Sequence, residues 1–247
     1  MDLTSPRDTV TDARAASSPS WFAEAFRLYP GFYRAKLGPR LAQPPLTPGA
    51  AGAIVVPGWF ASIKVYGLLM ERVRALGVPI VALDCGLNVA GPLAWRIDAL
   101  RAAVEAHTAT GGRVVLVGHS MGTLVSARYL LDRPRGVSGF VSICGVFGGL
   151  RSWTRLGWPL FPCVREMWRE TGSCLPASMR SLLKDPPVPT TIFQADRDEF
   201  VCDQSGVAEV IRFPTAVTHN GPVRDSEAVD AIAARVVEYA SRATVIP

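Results

Sequence analysis

The chain has 247 residues, 49% of them apolar, enough to bury one large core in a single domain. Its formal net charge is +5, yet the 26 Lys+Arg and 21 Asp+Glu are scattered, so no basic cluster marks a nucleic-acid footprint. Five cysteines (Cys85, Cys144, Cys163, Cys174, Cys202), odd in number and without a CxxC, argue against a disulfide framework or a zinc ribbon. Cys163 and Cys174 could close a loop, with free buried thiols as the expected state.

Residues 1–20 are polar and rich in Ser, Ala and Asp, and are expected to form a poorly ordered lead-in. They lack the basic start and apolar run of a signal peptide, and no later apolar run reaches membrane length. A soluble, cytoplasmic protein is the expectation. Residues 21–52 form an aromatic-rich segment and a linker. Trp21, Phe22, Phe26, Tyr29, Phe32 and Tyr33 are expected to pack on the domain body, with lipid or membrane-surface contact as the alternative.

From Ala53 the pattern changes. Ala53–Val56, Ile80–Leu83, Val114–Val117, Phe140–Ile143 and Thr191–Phe193 are short apolar runs bounded by Gly, Pro or Asp, as buried parallel strands are. Val65–Leu76, Leu93–His107, Gly122–Leu131 and Ser226–Ser241 have the length and spacing of amphipathic helices. The alternation predicts an α/β domain over 53–247, with a mostly parallel central sheet flanked by helices. Ligands of such sheets bind at the carboxyl ends of the strands.

Residues 114–124 read VVLVGHSMGTL, a strand, a five-residue connection and a helix. A serine there sits on a sharp turn with its hydroxyl pushed out at the sheet's carboxyl edge. Gly118 and Gly122 leave room where a Cβ would crowd the neighbouring strand and helix. Ser120 is therefore the candidate nucleophile, and it needs a base and an orienting carboxylate. Of three histidines, His107 reads as a surface or packing residue on a helix. His119 is too close along the chain to fold back onto the adjacent hydroxyl, and reads as structural. His219, in a polar loop before the last helix, is the candidate base. The acid comes from TTIFQADRDEFV, where Asp198 is favoured for lying past the strand end and Asp196 is the alternative.

Two backbone amides are required to hold an oxyanion. Met121 follows the nucleophile and offers one. Trp59, in VVPGWFAS after the first core strand, is the candidate for the other, although Pro-Gly alone also marks an ordinary turn.

GHSMG, ADRDEFV, THNGPV and VVPGWFAS together resemble the α/β-hydrolase superfamily, and the stretch from Met167 to Val201 is similar more narrowly to bacterial triacylglycerol lipases and esterases. The resemblance covers about Ala53 to Val237. It implies the α/β-hydrolase fold and a triad of Ser120, Asp198 and His219, with oxyanion donors at Trp59 and Met121. It departs in having Pro57 where a histidine often precedes the glycine, which removes a side chain that helps to hold the loop, and Cys202 where a proline often follows the valine.

Between Cys144 and Thr191 lies an insert, about 149–188, holding Trp153, Trp158, Trp168 and Phe161. Either it is an apolar lid over the nucleophile, with Trp59 and Phe60 adding to its wall, or a simply packed cap. The reading is a serine hydrolase cleaving carboxylic esters with an apolar acyl group, needing no cofactor and no metal, whose partner is a small-molecule ester or thioester. The alternative is an acyltransferase, thioesterase or cyclase on the same triad. Nothing in the residues bears on the oligomeric state.

Overall fold

The computed structural model describes residues 43–59, 61–84, 92–150, 165–167, 169, 182–202, 209–213 and 218–242. Phe60, the aromatic segment 21–33, Cys85, Cys163, Cys174, and the insert's Trp153, Trp158, Phe161 and Trp168 lie outside them.

Six strands form one parallel sheet: β1 (Ala51–Val56), β2 (Ile80–Ala82), β3 (Arg113–His119), β4 (Val137–Ile143), β5 (Thr190–Ala195) and β6 (Glu209–Phe213), in the spatial order β2-β1-β3-β4-β5-β6. The helices are α1 (Gly67–Ala75), α2 (Leu93–Thr108), α3 (Met121–Leu130) and α4 (Ser226–Ser241). Each of the five apolar runs read from the sequence forms a strand. β6 is the addition, an outer strand among the described residues whose Glu209 and Arg212 are exposed, so it carries no continuous apolar signal.

Alternation along the central strands divides the core in two. Ala53, Val55, Val115 and Val117 face α1 and α4, while Ile54, Val56, Val114 and Leu116 face α2 and α3. Burial on both faces explains why these strands are almost wholly β-branched or aliphatic. The insert contributes Met167, Leu182 and Leu183 to the second layer, and Glu166 Oε2 accepts a 2.6 Å hydrogen bond from the Leu93 amide at the start of α2.

The helix expected from Val65 begins instead with a 3₁₀ turn, Ile63–Tyr66, and becomes α-helical at Gly67. Ser62 caps that turn through its side chain. The tighter winding changes where Tyr66 sits, and Tyr66 is fully buried. His107 is buried rather than on the surface: its Nε2 lies 2.9 Å from the Ala50 carbonyl, tying the end of α2 to the start of β1. No helix among the described residues is long and apolar enough to cross a membrane.

Candidate active site

The turn between β3 and α3 is built by close approach. A Cβ at Gly122 would collide with the Val56 carbonyl at the end of β1, and one at Gly118 would come within 2.7 Å of Thr123 Cα. Only glycine lets the strand and helix meet so closely. Ser120, between them, has φ 54° and ψ −121°, a left-handed conformation that serine rarely adopts and that costs free energy. Its amide donates to the Ile143 carbonyl, and its own carbonyl accepts from the Thr123 amide and hydroxyl. The residue is thus held by its backbone, and its side chain is half-exposed at the carboxyl edge of the sheet. Met121 opens α3, so its amide is one of the first-turn N–H groups that have no acceptor inside the helix.

His219 and Asp198 meet two strands away. His219 Nδ1 stands 2.9 Å from Asp198 Oδ1 and 2.8 Å from Oδ2, and both side chains are buried. Nδ1–H therefore donates to the carboxylate, leaving Nε2 as the acceptor on the far side of the ring. Asp198 Oδ1 also accepts from the Phe200 and Val201 amides at 2.9 Å each. Asp196 takes no part: it is half-exposed and lies 3.9 Å from Arg197. Among the described residues, the structure brings Asp198 and His219 into contact and gives Ser120 Oγ no hydrogen bond to either.

Charge follows from this packing. Burial alone raises a carboxyl group, yet the His219 charge and hydrogen bond, with the two amides, hold Asp198 below its usual range. Burial alone lowers an imidazole, yet Asp198 and Glu199 outweigh it and raise His219 above its usual value.

Four residues that the sequence did not single out for chemistry surround this pair. Glu199 Oε2 accepts the His219 amide at 2.8 Å, and burial raises its carboxyl group. Cys144, at the end of β4 with φ 45°, is buried and free, and its side chain hydrogen-bonds Asp198. Tyr66 Oη lies 2.9 Å from His119 Nδ1 and accepts the Gly58 amide at 3.0 Å. His119 Nε2 in turn lies 3.2 Å from the His219 carbonyl. None of these contacts has a local sequence signal, since the Tyr66–His119 contact spans 53 positions and the His119–His219 contact 100.

The Gly58–Trp59 turn is pressed onto the elbow. A Cβ at Gly58 would come within 2.9 Å of Ser120 Cβ and 3.2 Å of His119 Nδ1. Pro57 cannot brace this turn as a polar side chain would, and the Tyr66 hydroxyl braces it by accepting the Gly58 amide. Trp59 is half-buried beside it.

Sγ of Cys144, a carboxylate oxygen of Asp198 and a ring nitrogen of His219 lie within 4.8 Å of one another, a trio of metal-ligand type. Burial and the Asp198 charge push the Cys144 thiol well above its usual range, keeping it protonated. Within the trio, His219 Nδ1–H and the Cys144 thiol both donate to Asp198, and Nε2 of His219 is the acceptor left over.

Comparison with known proteins agrees with the fold. Residues 53–242 match the model of the alpha/beta hydrolase family. A protein named "Probable hydrolase R7", from a Phoma species, is 33% identical over 101 residues; the match covers 38% of this chain and 41% of that protein. Among solved structures, one from a study of LipS and LipT, two metagenome-derived lipolytic enzymes, superposes with a TM-score of 0.62 at 14% identity, covering 81% of this chain and 97% of that one. Est1E from Butyrivibrio proteoclasticus gives 0.58 at 13% identity, covering 79% and 90%, and Aspergillus fumigatus lipase B gives 0.56 at 19%, covering 78% and 57%. At these identities the structural likeness is one of fold.

Proposed function

We propose, from the premise that the chain belongs to the alpha/beta hydrolase family, that it is a serine hydrolase cleaving carboxylic esters with a hydrophobic acyl group. The observation that carries this is the buried Asp198–His219 pair, with the free Nε2 of its imidazole, at the same sheet edge as the strained Ser120. In this reading His219 takes the Ser120 proton through Nε2, Asp198 holds the ring in the Nδ1–H tautomer and stabilises the imidazolium, and Ser120 Oγ attacks the ester carbonyl. The Met121 and Trp59 amides receive the oxyanion. The alcohol leaves with the proton from His219, and water, activated by the same base, releases the acid.

A hydrophobic acyl group is supported by Trp59 beside the elbow and by the Phe200 ring, 5.0 Å from that of His219. The tryptophans of the insert point the same way from the sequence alone. Solved neighbours named as lipolytic enzymes and as a lipase are consistent with an ester substrate.

The test is Ser120→Ala. Turnover of 4-nitrophenyl butyrate and covalent labelling by a fluorophosphonate are both expected to vanish, and labelling that survives the substitution would overturn the assignment. Product analysis with an alcohol present distinguishes hydrolysis from acyl transfer.

A further inference from the structure

Three hydrogen bonds in series join the two halves of the site. The Gly58 amide donates to Tyr66 Oη, which leaves the phenolic proton free to donate to His119 Nδ1. With Nδ1 accepting, the His119 proton must reside on Nε2, which faces the His219 carbonyl. The chain is therefore directional, and only the neutral Nε2–H tautomer of His119 satisfies every member. Tyr66 and His119 are both buried, so the solvent offers no substitute partner. At the far end, the His219 peptide is gripped from the other side by Glu199, which accepts its amide.

We infer that Tyr66 and His119 are positioning residues, which lock the Gly58–Trp59 turn and the His219 backbone to one another across the elbow. This deepens the acyl-transfer reading and rests on it: the amide that receives the oxyanion and the base that moves the proton are then held as one unit. Serine flanked by glycines cannot supply this bracing, since its own side chain is the reacting group. His119 supplies it from the adjacent position, by pointing away from the hydroxyl and toward the loop that carries the base. A displacement of about 1 Å between reacting groups can cost about a hundredfold in rate, so the bracing is read in kcat rather than in substrate affinity.

The test uses the full chain with Tyr66→Phe, His119→Leu, His119→Gln and the double variant Tyr66→Phe/His119→Leu. With 4-nitrophenyl butyrate, Tyr66→Phe is expected to lower kcat about tenfold with KM unchanged within about twofold, and His119→Leu about a hundredfold. His119→Gln keeps an N–H donor near the Nε2 position and should recover part of that loss. The double variant should be no slower than His119→Leu alone, because both substitutions cut one chain. Ring-nitrogen NMR of the wild type should show His119 as the neutral Nε2–H tautomer, and Tyr66→Phe should shift the Nδ1 resonance, since that nitrogen loses its donor.

A Tyr66→Phe enzyme within twofold of wild type in kcat, a double variant whose losses multiply, or a His119 proton on Nδ1 would each overturn the inference. Should His119→Leu fail to fold, Tyr66→Phe, His119→Gln and the tautomer carry the decision. Turnover by Ser120→Ala equal to wild type would sink the hydrolase reading instead, and the His119 tautomer and its response to Tyr66→Phe would still decide whether the chain of bonds exists.

Discussion

Two imidazoles stand side by side in this site, with ring centroids 5.2 Å apart and exposures of 2% for His119 and 5% for His219. Their proton affinities are driven in opposite directions. Burial and the neighbouring His219 charge lower His119 to about 3, because its partners are a phenol and a carbonyl and bring no negative charge. His219 meets the same burial, but a carboxylate answers it, and its affinity rises. Their tautomers differ too: His219 donates through Nδ1 and His119 through Nε2. Depth alone therefore does not decide what a buried histidine does; the sign of its partner does.

The largest way to break that contrast is Asp198→Asn. It removes the charge that raises His219 and destabilises the working tautomer, so kcat is expected to fall by about 10⁴. With His219 as the proposed base, which must be neutral to act, its raised affinity should put the acid limb of the kcat/KM profile above the ordinary histidine value of about 6.5. In the variant, with burial opposed by Glu199 alone, that limb should move to lower pH. A limb that stays put would show that Asp198 is not what raises His219.

A smaller effect sharpens the other half of the contrast. Below about pH 6.5 the unfolded chain gains a proton at position 119 that the folded chain refuses until about 3, so the unfolded state binds more protons across that window. Stability must then fall as the pH drops from about 6.5 toward 3, by up to about 1.4 kcal/mol per pH unit from this residue. Urea titrations of wild type and His119→Gln between pH 6.5 and 4.5 should differ by that slope, and parallel curves would refute a buried neutral His119. Smallest of all is Asp196→Asn, expected to change kcat/KM by less than about twofold, since its carboxylate lies half-exposed beside Arg197. A loss comparable to that of Asp198→Asn would exchange the two aspartates' roles.

Much of the scaffold was legible because its signal is local. The runs at 53–56, 80–83, 114–117, 140–143 and 191–193 became β1 to β5, since strands buried on both faces must be apolar throughout. β6 escaped for the converse reason: the exposed Glu209 side chain is paired with Arg235, at 2.6 Å, and a half-exposed outer strand has no such run. In the site, the elbow could be read from glycines flanking a serine between a strand and a helix. Tyr66, Glu199 and Cys144 could not, because each acts across a fold that brings distant segments together. His119 was set aside on a sound local argument, that it cannot reach its neighbour's hydroxyl. The structure agrees and sends its ring to the backbone of His219. Its position at the end of an apolar strand, where burial of an imidazole demands partners on both nitrogens, was the signal available.

The backbone of Ser120 carries one more implication. Its angles, φ 54° and ψ −121°, are those of the first central residue of a type II′ turn, where glycine is at home and serine is not. The proposed chemistry and the architecture thus compete for one position. Ser120→Ala removes the hydroxyl but keeps the clash, whereas Ser120→Gly removes both, so the glycine variant should unfold at a higher temperature than the alanine variant while being equally inert. Glycine at position 120 is thus the backbone's own preference, and the serine costs the fold stability.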